Sequence, residues 1–501
     1  MEIPYLMSTQ HPDNAFMPDW AGWKFERREE IREVFYAYSI GCDEQLWDWE
    51  GKEVDSTVVM KLFTKFKEFF EANMLGKDVF LTYRVPNPDV QKNDTKALVE
   101  ALESIPRNFE IASKFYGKDI APIFEVAVPM TTNASQLLRI LKFYERCVVG
   151  KENEKVFDVE VKEWLGEFKP KTISIIPLIE DMDSVFRTDE ILRKFVEETE
   201  RKEMRVWFAR SDTALNYGLI PAELLLKIGI KKVREVSVEL DASFYPILAT
   251  GSLPFRGFMR PERMERFVKS HKEFWTFGFQ SSMKYDFHQI EIKRAIKVAK
   301  DRKRIQSQDF RVEIEEDEIK RIIQIFKSAY QESLKPLANL INRVAKFVPS
   351  RRSRVLHVGL FGYSRQLENG IKLPRAIRFT ASLYSIGIPP EIFGMRSLAK
   401  LEEEGYFDTI KKLFPELKEF LLFSFKYLNK DNLKILRKSG YDVEKIVEDV
   451  ETVHQFFNVN GTPESRHEFL TSSILTSLLA SSRPKIRELI EECAKIRRSL
   501  G

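Results

Sequence analysis

The chain has 501 residues, of which 43% are hydrophobic and 31% charged, a globular composition that excludes a disordered protein. Its 80 basic and 76 acidic side chains nearly balance, without the concentrated basic stripe of a nucleic-acid-binding protein. There is no apolar run of about 18 residues, no secretory signal pattern, and no zinc or disulfide spacing among the three cysteines. We therefore expect a cytoplasmic protein that binds neither nucleic acid nor membrane.

Apolar runs of strand length recur along the chain, and amphipathic stretches such as Asp189–Arg201 and Ala222–Lys232 separate them. The predicted strands are Asp78–Arg84, Ile120–Val128, Thr172–Ile179, Arg205–Ala209, Glu235–Leu240, Trp275–Gln280, Val355–Phe361 and Arg378–Ser385. Near-continuous apolar runs are typical of parallel strands buried on both faces. Strands that alternate with helices predict an α/β fold with a parallel sheet.

Polar residues gather where the predicted strands end. Arg84, Glu180, Asp212, Gln280 and His357 are the residues with this placement. In a (β/α)₈ barrel the carboxyl ends of the strands form the rim on which active sites are built. About eight strand candidates favour such a TIM-like barrel over an open Rossmann sheet, and neither GxGxxG nor GxxxxGK[ST] occurs where those folds need it.

The C-terminal part of the chain is predicted to be helical. We expect residues 1–400 to form the barrel core, with an N-terminal segment and helical insertions, and residues 401–501 to pack on it as a helical elaboration. The predicted helices there are Asp408–Lys412, Glu416–Leu428, Asp431–Lys438, Val443–Phe457 and Lys485–Arg498. The charged stretch Lys293–Lys327 is also predicted to be one long helix.

The segment Met7–Asn14, MSTQHPDN, places His11 in a polar stretch ahead of the first helical pattern. Loop residues beside a rigid scaffold often carry function. The structural alternative is that Asp13 or Asn14 caps a following helix.

Two carboxylates follow apolar strands, Glu180 in IPLIEDMD and Asp212 in ARSDTALNYG. If both strand ends point into one barrel mouth, the pair offers the hard oxygen ligands that Mg²⁺ prefers. Such an ion can stabilise a developing enolate. The alternative is a pair of helix N-caps in βα loops, because Asp and Ser favour that position as well.

Two glycine-containing segments carry clustered arginines, Ala249–Arg260 (ATGSLPFRGFMR) and His357–Arg378 (HVGLFGYSRQLENGIKLPRAIR). Guanidinium groups bind phosphate and carboxylate through paired hydrogen bonds, so both segments are candidate anion sites. The alternatives are a flexible turn with an exposed arginine and solvated surface charge. The candidate anion ligands in these two segments are Ser252, Arg256, Arg260, Arg365, Lys372, Arg375 and Arg378.

Together, MSTQHPDN, GSLPFRG and LHVGLFGYSR resemble, in this order, signatures of the compact archaeal-type phosphoenolpyruvate carboxylases. The resemblance runs from about Met7 to Gly501. It implies a TIM barrel, a homotetramer and a Mg²⁺-dependent lyase, with Mn²⁺ as an alternative ion. The implied reaction joins bicarbonate to phosphoenolpyruvate and yields oxaloacetate and phosphate, an anaplerotic fixation of carbon dioxide.

The larger bacterial and plant members of that family suggest individual roles. Their T-A-H-P-T-E segment is similar to Thr9–Asn14, which implies that His11 is the essential histidine. Their metal-binding glutamate and their Y-S-D-S-N-K-D segment match Glu180 and Arg210–Asn216, so that Asp212 is the second metal ligand. The remaining matches assign a catalytic role to Arg256 and Arg375 and, on strand order alone, substrate binding to Arg84.

The sequence also departs from the larger enzymes. The lysine that follows their metal-binding aspartate is replaced by Leu215 or Asn216, and Ser252 stands where their glycine-rich loop has its first arginine. The chain ends Arg498-Ser499-Leu500-Gly501 where theirs end R-N-T-G. Because that terminus forms part of their inhibitor site, the resemblance does not extend to regulation by aspartate.

Two other functions remain open at the level of sequence. One is a different Mg²⁺-enolate barrel, an aldolase or lyase of a pyruvate-like acid, which would need neither His11 nor bicarbonate. The other is a non-enzymatic scaffold in which the C-terminal helices bind a partner.

Overall fold

The computed structural model describes residues 2–50, 55–92, 95–311, 313–352, 372–459, 461–480 and 485–501. Its centre is a closed barrel of parallel strands, which confirms the predicted (β/α)₈ class. The strands are β1 Leu6–Ser8, β2 Glu44–Asp48, β3 Phe80–Arg84, β4 Glu125–Val128, β5 Ser174–Ile179, β6 Glu203–Ala209, β7 Ser243–Thr250 and β8 Thr276–Phe279. They pair in chain order, and β1 closes the barrel against β8.

Apolar side chains on alternate strand positions fill the barrel. Met7, Leu46, Ile176, Trp207 and Ile247 belong to one buried cluster that is separate from the core between strands and helices. The register places Trp207 opposite Ile247 on the neighbouring strand. The barrel is therefore a packed core, as expected for this fold.

The amino ends of the strands enclose a buried ion cluster. Arg205 donates to Glu44 Oε1 and Oε2 at 2.8 and 2.7 Å and to Glu125 Oε2 at 2.9 Å. All three side chains are almost inaccessible to solvent. The bottom of the barrel is thereby closed by charge pairing, which leaves the opposite rim for a site.

Helices surround the barrel and form the whole described C-terminal part. Up to residue 301 they are Arg27–Ile40, Val58–Lys65, Lys67–Ala72, Lys96–Tyr116, Ala134–Phe143, Val161–Leu165, Met182–Phe186, Thr188–Thr199, Ser211–Tyr217, Leu219–Leu240, Met264–Ser270, Ser281–Tyr285 and Gln289–Asp301. Beyond it they are Glu316–Leu334, Ala338–Ala345, Ala376–Ser385, Ser397–Glu403, Phe407–Leu413, Leu417–Phe425, Lys430–Lys438, Glu444–Phe457, Ser465–Leu479 and Ile486–Arg497. Among the described helices, none is long and apolar enough to span a membrane.

Short helical turns and one hairpin complete the fold. A π-helical turn covers Tyr144–Val149, and a two-stranded hairpin pairs Lys155–Val156 with Val159–Glu160. The 3₁₀ turns are Gly150–Asn153, Pro254–Arg256, Pro261–Arg263, Ser307–Asp309, Lys335–Leu337 and Pro390–Ile392.

The C-terminal helices pack directly on the loop that follows β7. The Phe258 ring lies 5.1 Å from that of Phe420 and 4.7 Å from that of Phe423, both on the helix Leu417–Phe425. Burial of aromatic rings in this way fixes the loop against the helices. The division into residues 1–400 and 401–501 remains a prediction.

Several predicted elements were wrong. Glu235–Leu240 is the end of the helix Leu219–Leu240, because Val233, Val236 and Leu240 also fit helical spacing. Arg378–Ser385 lies in the helix Ala376–Ser385, where burial on nearly every side removes the periodic signal.

The predicted long helix Lys293–Lys327 is interrupted between Asp301 and Glu316. The predicted strand Val355–Phe361 lies outside the described residues. The barrel strands that sequence reasoning missed are β1, β2 and β7. β2 has the sequence EQLWD, in which the inward-facing Glu44 and Asp48 form ion pairs on either side of the apolar Leu46.

Candidate active site

A cavity of about 590 Å³ opens at the carboxyl ends of the strands. It brings together seven residues predicted from sequence: His11, Arg84, Glu180, Asp212, Arg256, Arg375 and Arg378. These residues are far apart in sequence and meet because the strand ends share one rim.

Glu180 follows β5 directly and is almost fully buried. The backbone N–H of Met130, beyond β4, donates to its Oε2 at 2.7 Å. The adjacent Asp181 caps the helix Met182–Phe186 by accepting from Ser184 N at 2.9 Å. Glu180 is therefore not the helix cap that the alternative prediction required.

Asp212 lies in the first turn of the helix Ser211–Tyr217, whose N-cap position is occupied by Arg210. Burial and then the negative charges of Asp212 and Glu50 raise the pKa of Glu180 to about 8. The positive charge of Arg84 and the hydrogen bond from Met130 oppose this shift without cancelling it. The two predicted metal ligands are thus close enough to repel each other strongly.

Arg84, at the end of β3, is already bound to carboxylates. Its Nε and Nη2 donate to Asp48 Oδ1 and Oδ2 at 2.9 and 2.7 Å, and Nη2 lies 3.3 Å from Glu50 Oε2. Gln91 holds the other oxygen of Glu50 at 2.9 Å. Sequence reasoning did not select Asp48 or Glu50, because it did not predict β2. Asp48 is the last residue of that strand, and Glu50 follows two residues later.

Two further carboxylates lie behind Glu180 at this edge of the cavity. Asp48 and Glu50 pair with the guanidinium of Arg84, and the charges of Asp212, Glu50 and Arg84 all act on Glu180. In the described part of the chain, no group of three or more His, Cys, Asp or Glu forms a complete metal site from protein ligands alone. A divalent ion such as Mg²⁺, which keeps water and substrate oxygens as ligands, fits this donor set and would relieve the repulsion.

The segment that carries His11 is tied to the barrel. Thr9 N donates to the Phe279 carbonyl at 2.7 Å, and the His11 carbonyl accepts from Ser281 N at 3.2 Å. Asp13 Oδ1 accepts from Ser282 N at 2.8 Å and so satisfies the start of a helix remote in sequence. These bonds hold the backbone of the segment against the end of the barrel.

Arg256 is buried and faces the cavity at the base of the loop after β7. Its guanidinium donates to Ser211 Oγ at 3.2 Å, to Asp13 Oδ2 at 3.3 Å, and to Gln280 Oε1 and the Gly501 carbonyl. Burial lowers the pKa of Arg256, while attraction to Asp13 and Asp212 opposes that shift. Arg256 therefore connects the segment that carries His11 and Asp13 with the start of the helix that carries Asp212.

Ser252 and Arg260 do not line this cavity. Ser252 is fully buried and accepts from Ser282 Oγ at 2.8 Å. Arg260 donates to Glu262 at 2.6 Å and to the Arg497 carbonyl at 3.1 Å, with its guanidinium stacked on aromatic rings. The structure gives both residues supporting contacts, and substrate binding by either remains a prediction.

Arg375 precedes the helix Ala376–Ser385, and Arg378 lies one turn along it. Burial and the neighbouring charge of Arg375 lower the pKa of Arg378. Two like charges beside one cavity are favourable when an anion lies between them. Arg365 and the motif LHVGLFGYSR lie outside the described residues.

Further cations line the cavity that sequence reasoning did not select: Lys24, Arg210, Arg351 and Arg352. Arg352 is fully buried and donates to Glu33 Oε1 and Oε2 at 2.5 and 2.6 Å. Arg351 donates to the Asn14 and Ala15 carbonyls. Arg351 therefore supports the segment that follows His11, and Arg352 is neutralised by Glu33; neither partnership is visible in the sequence.

The remaining wall is apolar, formed by Leu178, Trp207, Ala209 and Ala249. Leu215, one of the two residues at the position of the expected lysine, is instead buried in the main core. The cavity thus has a carboxylate side, a cationic side and an apolar wall. A closed barrel with such a rim site defines an enzyme that binds a small, strongly anionic substrate.

The comparison with known proteins identifies the family. The family model for phosphoenolpyruvate carboxylase matches residues 3–501. Proteins named phosphoenolpyruvate carboxylase from Picrophilus torridus and Methanothermobacter thermautotrophicus are each 41% identical over 100% of this chain and 99% and 100% of their own. One from Pyrococcus horikoshii is 42% identical over 89% of this chain and 94% of its own. The chain belongs to the archaeal-type phosphoenolpyruvate carboxylase family.

Proposed function

We propose that this protein catalyses the Mg²⁺-dependent carboxylation of phosphoenolpyruvate by bicarbonate, giving oxaloacetate and phosphate. The observation that supports the proposal is the convergence of His11, Glu180, Asp212, Arg256 and Arg375 on one rim cavity. Family membership supports the same substrates, because the relatives carry this name. An anaplerotic role and a homotetramer are proposed from the resemblance, and a cytoplasmic location from the sequence pattern.

The cationic side of the cavity would bind the substrate's phosphate and carboxylate. Arg256 and Arg375 approach from different loops, so that two separated anionic groups can be held at once. Paired hydrogen bonds from guanidinium orient such groups as well as attract them. Fixing both reactants in this way makes the attack of bicarbonate on phosphorus effectively unimolecular.

Glu180 and Asp212 would hold Mg²⁺, which when bound supplies positive charge to offset that of the developing enolate. The first step forms a bond between a bicarbonate oxygen and phosphorus and breaks the bond between phosphorus and the enol oxygen. Carboxyphosphate and the enolate of pyruvate result. Arg84 is held by Asp48 at this edge, so its role would be to limit local negative charge.

Carboxyphosphate then separates into carbon dioxide and phosphate, and the enolate carbon attacks carbon dioxide. His11 is the group we assign to the separation, by accepting a proton or by a charged hydrogen bond near neutral pH. The apolar wall with Leu178 and Trp207 would exclude water during the lifetime of the enolate, before it reacts with carbon dioxide. Protonation of the enolate by water at that stage would give pyruvate instead of oxaloacetate.

A coupled assay for oxaloacetate tests the proposal. Purified protein receives phosphoenolpyruvate, with Mg²⁺ and bicarbonate each present or omitted, and phosphate release is followed in parallel. Oxaloacetate that requires both, with equal phosphate, is the expected result. No product from folded protein under any condition would overturn the proposal in favour of another Mg²⁺-enolate lyase or aldolase.

A further inference from the structure

The hydroxyl of Thr9 is enclosed between the His11 ring and the last barrel strand. Its Oγ1 lies 3.1 Å from the Phe279 carbonyl oxygen and 3.2 Å from His11 Nδ1. Thr9 is fully buried, so no solvent water replaces either contact. Both neighbours therefore compete for the one proton that a hydroxyl carries.

The carbonyl oxygen decides where that proton lies. A carbonyl oxygen can only accept a hydrogen bond. Without a hydrogen between them, the lone pairs of the two oxygens, 3.1 Å apart, would repel each other. The Thr9 proton is accordingly directed at Phe279. Oγ1 then offers only a lone pair to the imidazole, so the contact at 3.2 Å is a hydrogen bond only when Nδ1 carries a hydrogen.

The surrounding bonds prevent Thr9 from turning away. Lys284 Nζ donates to the Thr9 carbonyl at 2.9 Å and is itself paired with Glu33 at 2.7 Å. The His11 carbonyl accepts from Ser281 N, which fixes the backbone on the other side of the contact. The backbone on both sides of the contact is thus held by the barrel, and the bond from Oγ1 to the Phe279 carbonyl holds the hydroxyl.

We propose that Thr9 is a positioning residue that holds neutral His11 as the Nδ1–H tautomer and so makes Nε2 its basic nitrogen. The proposal rests on the proposed function, in which His11 assists the separation of carboxyphosphate. There, the carboxyl proton passes to Nε2, the bond from the carboxyl carbon to the phosphate oxygen breaks, and its electron pair leaves with phosphate. Carbon dioxide remains, and phosphate then takes the proton from the imidazolium.

The test compares Thr9→Val, which keeps the shape and removes the hydroxyl, with Thr9→Ser, which restores it. Thr188→Val is the matched control, because Thr188 is also buried and its hydroxyl donates to a backbone carbonyl, that of Val185, at 2.9 Å. Each protein is labelled with ¹⁵N-histidine, and the tautomer is read from the ring nitrogen shifts without substrate. The spectrum of His11→Asn assigns the signal among the six histidines.

We expect Nδ1–H in the parent, in Thr9→Ser and in Thr188→Val, and loss of that preference in Thr9→Val. In the same series, only Thr9→Val should lose oxaloacetate formation, by about tenfold or more, with a larger share of pyruvate. An Nε2–H tautomer in the parent protein overturns the proposal whether or not the variants fold. So does a folded Thr9→Val protein with unchanged tautomer and product ratio.

The two proposals fail separately. A parent protein that makes no oxaloacetate contradicts the carboxylase function, while its ¹⁵N spectrum still decides the tautomer. A parent protein that carboxylates normally with the opposite tautomer leaves the function intact and removes Thr9 from it.

Discussion

The ionised form of Glu180 destabilises the fold, because the side chain is buried beside Asp212 and Glu50 and the charge of Arg84 compensates only in part. With a pKa of about 8, native Glu180 keeps its proton at pH values where the unfolded chain, with a value near 4.5, has lost it. The free energy of unfolding of the metal-free protein should therefore fall as pH rises through this interval, by about 1.4 kcal/mol per unit.

Glu180→Gln mimics the protonated side chain and should escape this loss. In the presence of a chelator, we expect its melting temperature to exceed that of the parent at pH 8.5 and to match it near pH 4.5, within the limits of acid stability. The same variant should lose carboxylation by about 100-fold or more. Asp183→Asn, an exposed neighbour, is the control for both measurements. A variant that is less stable at pH 8.5 would contradict the proposed electrostatics.

Replacement of His11 should separate the two halves of the reaction. We expect His11→Asn to release phosphate and pyruvate from phosphoenolpyruvate while forming about 100-fold less oxaloacetate, because enolate formation needs the other groups only. Parallel assays of the three products measure the ratio. The exposed His288, changed to Asn, should leave it unchanged. Full carboxylation by His11→Asn would remove this residue from the mechanism.

At the scale of elements, the sequence predicted β5 and β6 but missed β7, although apolar residues dominate all three. β2 was missed because Glu44 and Asp48 point inward to Arg205 and Arg84, and such pairing is visible only after the barrel closes. The periodicity of apolar residues indicates which positions are buried. It does not identify a strand such as β2, in which charged side chains are buried as ion pairs.

The candidate site shows the same limit. Glu180 and Asp212 were predictable, since a carboxylate directly after an apolar strand lies at the barrel rim. Glu50 was not, because its strand was unrecognised, and the engagement of Arg260 with Glu262 and Arg497 depends on helices remote in sequence. The sequence motifs predicted which segments of the chain form the site. Which side chain of each segment lines the cavity depends on tertiary packing, which the motifs do not report.

The loop that carries Arg256 depends on one buried acid. Glu391 Oε1 accepts from Phe255 N at 2.8 Å and from the Tyr384 hydroxyl at 2.7 Å, and burial raises its pKa to about 7. Glu391→Ala would leave both donors buried without an acceptor. We expect it to lower the free energy of unfolding by about 2–3 kcal/mol and to reduce the carboxylation rate through Arg256.

Urea unfolding and steady-state rates measure the two effects. Glu391→Gln keeps an acceptor oxygen and should retain most of both, whereas the exposed Glu402, changed to Ala, should have no effect on either. Equal losses in the Gln and Ala variants would show that the negative charge, and not the hydrogen bonds, holds the loop.

For the whole molecule, the two ends of the barrel use charge in opposite ways. At the amino ends, Arg205 is paired with Glu44 and Glu125, whereas at the rim Glu180 is buried beside the like charges of Asp212 and Glu50. Arg205→Met would leave two buried carboxylates without their cation and should cost about 3–5 kcal/mol of stability. Combining it with Glu44→Gln and Glu125→Gln should recover a large part of that loss.

Chemical unfolding of the single and triple variants, at the same pH, measures this coupling. Because Arg205 lies at the end remote from the cavity, folded Arg205→Met should keep its KM for phosphoenolpyruvate. A triple variant no more stable than the single one would indicate that lost packing around Arg205, and not unpaired charge, destabilises the barrel.

The closure of β1 against β8 also sets an order of events during synthesis. Thr9 and its partner Phe279 are 270 residues apart, so the ribosome completes β1 long before its neighbour exists. At typical translation speeds that interval is on the order of 10–50 s. The segment that carries His11 is therefore synthesised about 270 residues before the strand against which it packs. The barrel therefore cannot close, and Thr9 cannot meet Phe279, until the strand that ends at residue 279 has been synthesised.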